Sequence, residues 1–310
     1  MAITLDYVIL MLAQPFIQRA FLIGIVLAIL SAILSTFIVL KKYSLIGDGL
    51  AHTAFGGLAL GYYLGLEPLW VATVTVILGS IGITKATRTS KISSDAAVAV
   101  FLMLGLAIGV VLLSLAGGFG INLESLLFGS ILLVNTEQIL TATIVLFITL
   151  TVVVIFYKEL VYISFDEVQA RAAGMKTWIF DYLIAILAAI AVIASIPIVG
   201  VLLISALLVL PGITSLQVSR SFKETILLSP IFALLSVTIG LFLSIIINTS
   251  SGATIVVTGL FIFLIVLLAK KLANFRGGRV KVELLNSFNS DLPISAGQQS
   301  LEWCLCHQQI

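Results

Sequence analysis

"FIQRAFLIGIVLAILSAILSTFIVLKK", residues 16–42, carries no charge between Arg19 and Lys41. Coiled as an α-helix, the run from Ala20 to Leu40 is about 30 Å long, the thickness of a bilayer's hydrocarbon core. No water satisfies backbone groups in that medium, so such a run is expected to cross a membrane as a helix. Comparable runs recur along most of the 310 residues. The chain is 61% hydrophobic and 10% charged, against roughly 25% charged in a soluble domain. Too few charges remain to cover a globular surface. The expected fold class is all-α and polytopic, with the lipid bilayer as solvent; a β-barrel would alternate apolar and polar residues instead. The first run lacks the basic start and small-residue cleavage site of a removable signal peptide.

Nine spans are expected, at roughly 16–40, 44–64, 69–84, 93–116, 136–157, 177–195, 198–219, 225–247 and 253–269. Lys41 and Lys42 follow the first, and Lys85, Arg88 and Lys91 the third. Lys158, Arg171 and Lys176 follow the fifth; Arg220 and Lys223 follow the seventh. Lys270, Lys271, Arg276, Arg279 and Lys281 follow the ninth, so 15 of the 16 basic residues share one side and only Arg19 lies on the other. Basic residues are retained on the cytoplasmic side. The N-terminus is therefore expected outside and the C-terminus in the cytoplasm, with residues 1–273 as the transmembrane domain and 274–310 as a polar, flexible cytoplasmic tail. The net charge of +2 gives no basic surface for nucleic acid.

Two connections stand apart. Residues 117–134, "GGFGINLESLLFGSILLV", are too long for a loop and too broken by glycine for a span. A half-inserted or surface-lying helix on the outer side is expected, since non-helical backbone at membrane depth needs protein or water around it. Residues 162–178, "YISFDEVQARAAGMKTW", have the pattern of one short amphipathic helix with Phe165, Val168 and Ala172 on its apolar face.

The chemistry concentrates in "LIGDGLAHTAFGG", residues 45–57. Asp48 and His52 are four apart, so one helix face carries both. Carboxylate and imidazole together are donors for a divalent transition metal. Counted from Lys42 at helical rise, His52 lies about 15 Å into the core, near its midplane. An ionised Asp there costs roughly 2.5–3.5 kcal/mol on insertion scales and lines a pathway or finds a partner. A purely structural pair, hydrogen-bonded across helices, satisfies the spacing equally well, and the surrounding glycines fit both accounts. A third account, an intramembrane aspartyl protease built on Gly47–Asp48, needs a facing aspartate. The candidates Asp95 and Asp181 stand near span ends, and neither HExxH nor GxSxG occurs. The sequence argues against an enzyme.

Four segments in order resemble the permease subunits of ATP-binding-cassette importers for zinc, manganese and iron. "LIGDGLAHTAFGGLALG" is similar to that family's signature helix, with an Asp and a His on the metal route. "KISSDAAVAVFLMLGLAIGVVL" (91–112) resembles the next long helix, and "SFDEVQARAAGM" (164–175) the cytoplasmic loop that meets the ATPase. "VGVLLISALLVLPGITS" (199–215) is similar to the Pro-broken helix. The resemblance covers about residues 16–270. It implies a type II ABC importer-like fold of eight or nine spans in the cell membrane. It further implies a homodimer of permease subunits, a cytoplasmic ABC ATPase dimer and an extracytoplasmic metal-binding protein. Asp48 and His52 would be the metal residues; Asp166, Glu167, Arg171 and Gly174 would couple to the ATPase; Pro211 and Gly212 would form a hinge. No cofactor is held permanently. Zinc is the expected cargo, because "LLFGSILLV" (126–134) and "LAHTAFGG" resemble zinc-type members, with manganese or iron as alternatives. The chain has no GxxxxGK[ST] phosphate loop. The competing class is a secondary transporter or channel using Asp48 and His52 as an ion relay; the internal repeat common in such folds is not seen. Both cysteines, Cys304 and Cys306, stand beside His307 in the tail. They offer a regulatory zinc site, although C-x-C-H is tighter than structural zinc sites show.

Overall fold

The computed structural model describes residues 14–89, 92–116, 134–201 and 204–290. The expected outer helix at 117–133 and the Cys304, Cys306 and His307 cluster lie outside them. Among the described residues all regular structure is helical: α1 (Pro15–Leu40), α2 (Ile46–Leu64), α3 (Pro68–Thr89), α4 (Ser94–Leu115), α5 (Thr136–Ile155), α6 (Tyr157–Phe165), α7 (Glu167–Ala172), α8 (Thr177–Val199), α9 (Ile204–Val218), α10 (Phe222–Ile247) and α11 (Ser251–Ser290). Each expected span is found as a helix. Seven of the helices, α1, α3, α4, α5, α8, α10 and α11, contain stretches long and apolar enough to cross a bilayer. α9 is apolar but shorter, and α2 is diluted by Asp48, His52 and its glycines.

The chain divides into two units, Met1–Val266 and Leu267–Ile310, with the boundary inside α11. Polarity alone places that boundary after residue 273.

Helix starts follow capping chemistry. Ser93, Asn135, Asp166 and Ser221 each accept the backbone N–H three residues on, at 3.3, 2.9, 2.9 and 3.3 Å. These bonds satisfy amides that the helix leaves without a partner. Asp166 does more: its extended backbone (φ −146°, ψ 96°) ends α6 and begins α7. The single amphipathic helix expected over 162–178 is thus two helices. Phe165 and Val168, expected on its apolar face, are 64% and 78% exposed, and Ala170 is buried. Glu167 lies 3.8 Å from Arg88 of α3 and pairs with Arg171 four residues on.

Within the first unit α1 is the central element, with 72% of its apolar window buried. It packs against α5, α8, α9 and α10, while α2 packs chiefly between α3 and α4. α8 touches both groups. Buried hydroxyls pin α1 to its neighbours. Ser229 Oγ donates to the Ala32 carbonyl at 3.0 Å. Pro211 has no N–H and interrupts the α9 ladder; next to it, the Gly212 N–H donates to Ser35 Oγ at 2.8 Å. That hydroxyl in turn donates to the Val209 carbonyl at 3.2 Å.

α2 meets its neighbours backbone to backbone. A Cβ on Gly56 would stand 2.8 Å from the Gly105 carbonyl oxygen of α4, and one on Gly57 would stand 2.7 Å from Ala72 Cα of α3. On a third side, a Cβ on Gly47 would lie 3.1 Å from Ser205 Cα of α9. Small residues permit this approach, which dispersion then stabilises where lipid gives no hydrophobic drive. Backbone cannot rotate away as a side chain can. Gly56→Ala and Gly105→Ala are each expected to destabilise the protein by about 1–3 kcal/mol, read as a lower thermal midpoint of the purified protein in detergent.

A polar helix face and a charged end of the bundle

Asp48 occupies the first turn of α2, where an acid complements the partial positive charge of a helix start. His52 follows one turn later on the same face, and both side chains are half-buried. Residues 41–45 form a turn rather than continuing a helix. His52 therefore stands about 9 Å along α2 from its first residue, shallower than a count from Lys42 implies. Its Nδ1 is buried and has no hydrogen-bond partner. An imidazole nitrogen left so is free to receive a ligand. Among the described residues no cluster of three or more His, Cys, Asp or Glu side chains forms. The face offers two donors, one oxygen-bearing and one nitrogen-bearing.

A second site lies where α1 and α3 end and α8 begins. The Asp181 carboxylate of α8 is 4% exposed and is contacted by the Lys41 ammonium and the Arg88 guanidinium. Arg88 Nη1 also stands 3.8 Å from Glu167 Oε1 of α7. Glu167 in turn pairs with Arg171 four residues on, and the Thr177 hydroxyl lies 3.3 Å from the Glu167 carboxylate. Arg88 Nη2 donates to Thr177 Oγ1 at 3.2 Å. Lys41, Arg88, Glu167, Arg171 and Asp181 line a cavity of about 440 Å³. Burial lowers the Lys41 amine to about 8, with Glu167 opposing the shift and Arg88 reinforcing it. Its ammonium contacts the Asp181 carboxylate. Burial raises the Tyr43 phenol, helped by the nearby Glu167 charge. For Glu167 burial acts upward, but Arg171, Lys41 and Arg88 together outweigh it and hold the carboxyl below its usual value.

The structure brings all four coupling candidates into one short element and its ends. Asp166 caps α7, and Glu167 and Arg171 pair along it. Gly174 closes it with a left-handed φ of 81°. The Gly174 and Met175 amides donate to the carbonyls of Arg171 and Ala170 at 3.0 and 3.1 Å, a termination that a residue without Cβ adopts freely. Pro211 and Gly212 are buried against α1, away from that element. Sequence reasoning missed the Lys41–Asp181–Arg88 cluster. Its signal was available: an acid at the start of a span needs a partner, and basic residues end the first and third spans.

Among the described residues, a helical bundle with seven helices of bilayer length defines a multi-pass membrane protein. The chain belongs to the ABC 3 transport family, whose pattern it matches over residues 13–270. It is 30% identical over 258 residues to the manganese transport system membrane protein MntC of Listeria monocytogenes, covering 83% of this chain and 92% of that one. It is likewise 30% identical to a probable iron transport system membrane protein of Haemophilus influenzae, over 86% and 98% of the two chains. Among solved structures it is similar to PsaBC from Streptococcus pneumoniae in complex with Fab, with 33% identity and a TM-score of 0.75 over 85% of this chain and 95% of that one. It is thus a multi-pass plasma-membrane permease subunit, and ATP hydrolysis is carried by a separate ATPase. Membership replaces the alternative of a secondary transporter.

Removing one partner of a buried ion pair leaves an uncompensated charge. Asp181→Ala strands both Lys41 and Arg88 and is expected to destabilise the bundle by about 3–5 kcal/mol, seen as loss of monodisperse protein on size exclusion after mild heating.

Proposed function

We propose that this chain is the membrane subunit of an ATP-driven importer of divalent transition metal ions. Two copies would form the path, a cytoplasmic ATPase dimer would drive it, and an extracytoplasmic metal-binding protein would deliver the ion. The observation that carries this proposal is the α2 face itself. Glycine contacts occupy three sides of the helix, and Asp48 with an unpartnered His52 nitrogen occupies the remaining one. Two donors hold an ion weakly, which suits passage: an ion bound tightly does not leave. A second copy would supply the matching pair and bring the donor count towards the four that zinc takes. The relatives' names speak of manganese and iron. Imidazole with carboxylate admits both and zinc, and zinc is the cargo favoured by the resemblance of "LAHTAFGG". The membrane orientation that fits the basic residues has the N-terminus outside and the Lys41, Arg88, Asp181 and Glu167 end in the cytoplasm. The α6–α7 segment then faces the ATPase, presenting exposed Phe165 and Val168 as its docking surface, and Pro211–Gly212, fastened to Ser35, acts as the pivot of α9.

His52→Ala and Asp48→Ala are expected to lower uptake on the order of 100-fold or more while leaving assembly with the ATPase intact. Uptake of zinc, manganese and iron into proteoliposomes holding the whole transporter measures this; wild-type uptake in both variants removes the metal-route assignment. Elemental analysis of the same preparations names the cargo. Arg171→Glu places a second acid beside Glu167 and is expected to uncouple hydrolysis from transport without loss of metal at α2.

A further inference from the structure

Glu167 belongs to the segment assigned above to the ATPase, and its nearest charge outside that segment and α8 is a residue of α3. Arg88 Nη1 faces two carboxylates at once: in contact with the buried Asp181, and 3.8 Å from the half-exposed Glu167. Its Nη2 holds Thr177. One guanidinium thus joins the end of α3 to the fixed start of α8 and to α7. α3 then runs about 14 Å as a continuous helix from Arg88 back to Gly79. There a Cβ on Gly79 would stand 2.8 Å from the Thr53 side chain, the residue next to His52. Further along, Ala72 meets Gly57 at backbone distance. The coupling element, Arg88, α3 and the metal-bearing α2 are therefore in unbroken contact.

We propose that Arg88 is a positioning residue of the transport cycle, relaying displacement of α7 through α3 to the Asp48–His52 face. The relay rests on the assignment of α6–α7 to ATPase coupling. Asp181 and Thr177 anchor the guanidinium, so that motion of Glu167 acts on the end of α3 instead of being absorbed by a free side chain. The planar fork of Arg serves two carboxylates and a hydroxyl together, which the point charge of Lys cannot. Adjacency alone does not establish coupling between sites; non-additivity does.

The experiment uses the complete transporter, permease dimer with ATPase and binding protein, reconstituted in proteoliposomes, and reads metal ions imported per ATP hydrolysed. Arg88→Gln, and Arg88→Lys as the variant that keeps a charge for Asp181, are expected to lower this ratio on the order of 10-fold, within the usual range of coupling between sites. Complex assembly and metal content stay at wild-type level. Glu167→Gln should lower the ratio similarly, and Arg88→Lys/Glu167→Gln should be no worse than either single change. Losses that multiply in the double variant, or a wild-type ratio in Arg88→Lys, overturn the relay. A wild-type ratio in Arg171→Glu as well overturns the coupling assignment itself. If Arg171→Glu uncouples and Arg88→Lys does not, the coupling element stands and the relay alone is wrong.

Discussion

Asp181 is held between Lys41 and Arg88 at the point where α1, α3 and α8 converge. A carboxylate only 4% exposed is tolerable there because two cations and their hydrogen bonds replace water. Each of the three helices depends on the other two for that compensation. The consequence is architectural. α1 gathers α5, α9 and α10 around itself, α3 holds α2 with α4, and α8 packs on both groups. The cluster ties one end of these groups together with charge, while the remainder of their length is held by apolar packing that lipid could also satisfy. Buried ion pairs are poor sources of net stability but effective at rejecting wrong arrangements, and this one rejects any in which the ends of α1 and α3 part from α8.

A second constraint follows from solvent. α2 carries an acid and an imidazole that lipid would not accept, and it is also the helix with the closest backbone contacts. Both properties arise from composition. Glycine removes the side chains that would hold α3 and α4 away, so those neighbours seal α2 on the faces where it has nothing polar. The donor-bearing face is what remains. Dense packing on three sides also fixes where Asp48 and His52 point, which long side chains would leave to chance.

Much of this was legible in sequence. Continuous apolar runs closed by lysines located the spans, because a run without alternation can satisfy its backbone in a bilayer only as a helix. The Asp48–His52 spacing located the donor face, because a helix repeats near every fourth residue. What escaped was pairing across helices. Lys41, Arg88 and Asp181 are 47 and 93 residues apart in sequence order, and no local pattern says that they touch. The α6–α7 break escaped for a different reason. Phe165, Val168 and Ala172 have helical spacing, but Asp166 can cap a new helix as readily as sit within one, and here it caps α7 by accepting the Gln169 N–H.

The contrast between the two polar sites has mechanical meaning. At the charged end Lys41, Arg88, Glu167, Arg171 and Asp181 each have a partner in contact or within 4 Å, which ties their elements together. On the α2 face the imidazole nitrogen has none. The proposed function makes use of that asymmetry. If the charged end receives force, as proposed, its stiffness keeps motion from being lost in side-chain rearrangement; if the α2 face receives cargo, its unpaired nitrogen leaves the ion no bond to displace. Were His52 Nδ1 paired to a neighbouring carbonyl, metal would have to break that bond first, and the site would favour its empty state. Leaving the nitrogen unpaired costs stability, about 1–3 kcal/mol for a buried polar group, and the glycine packing around α2 is what lets the fold carry it.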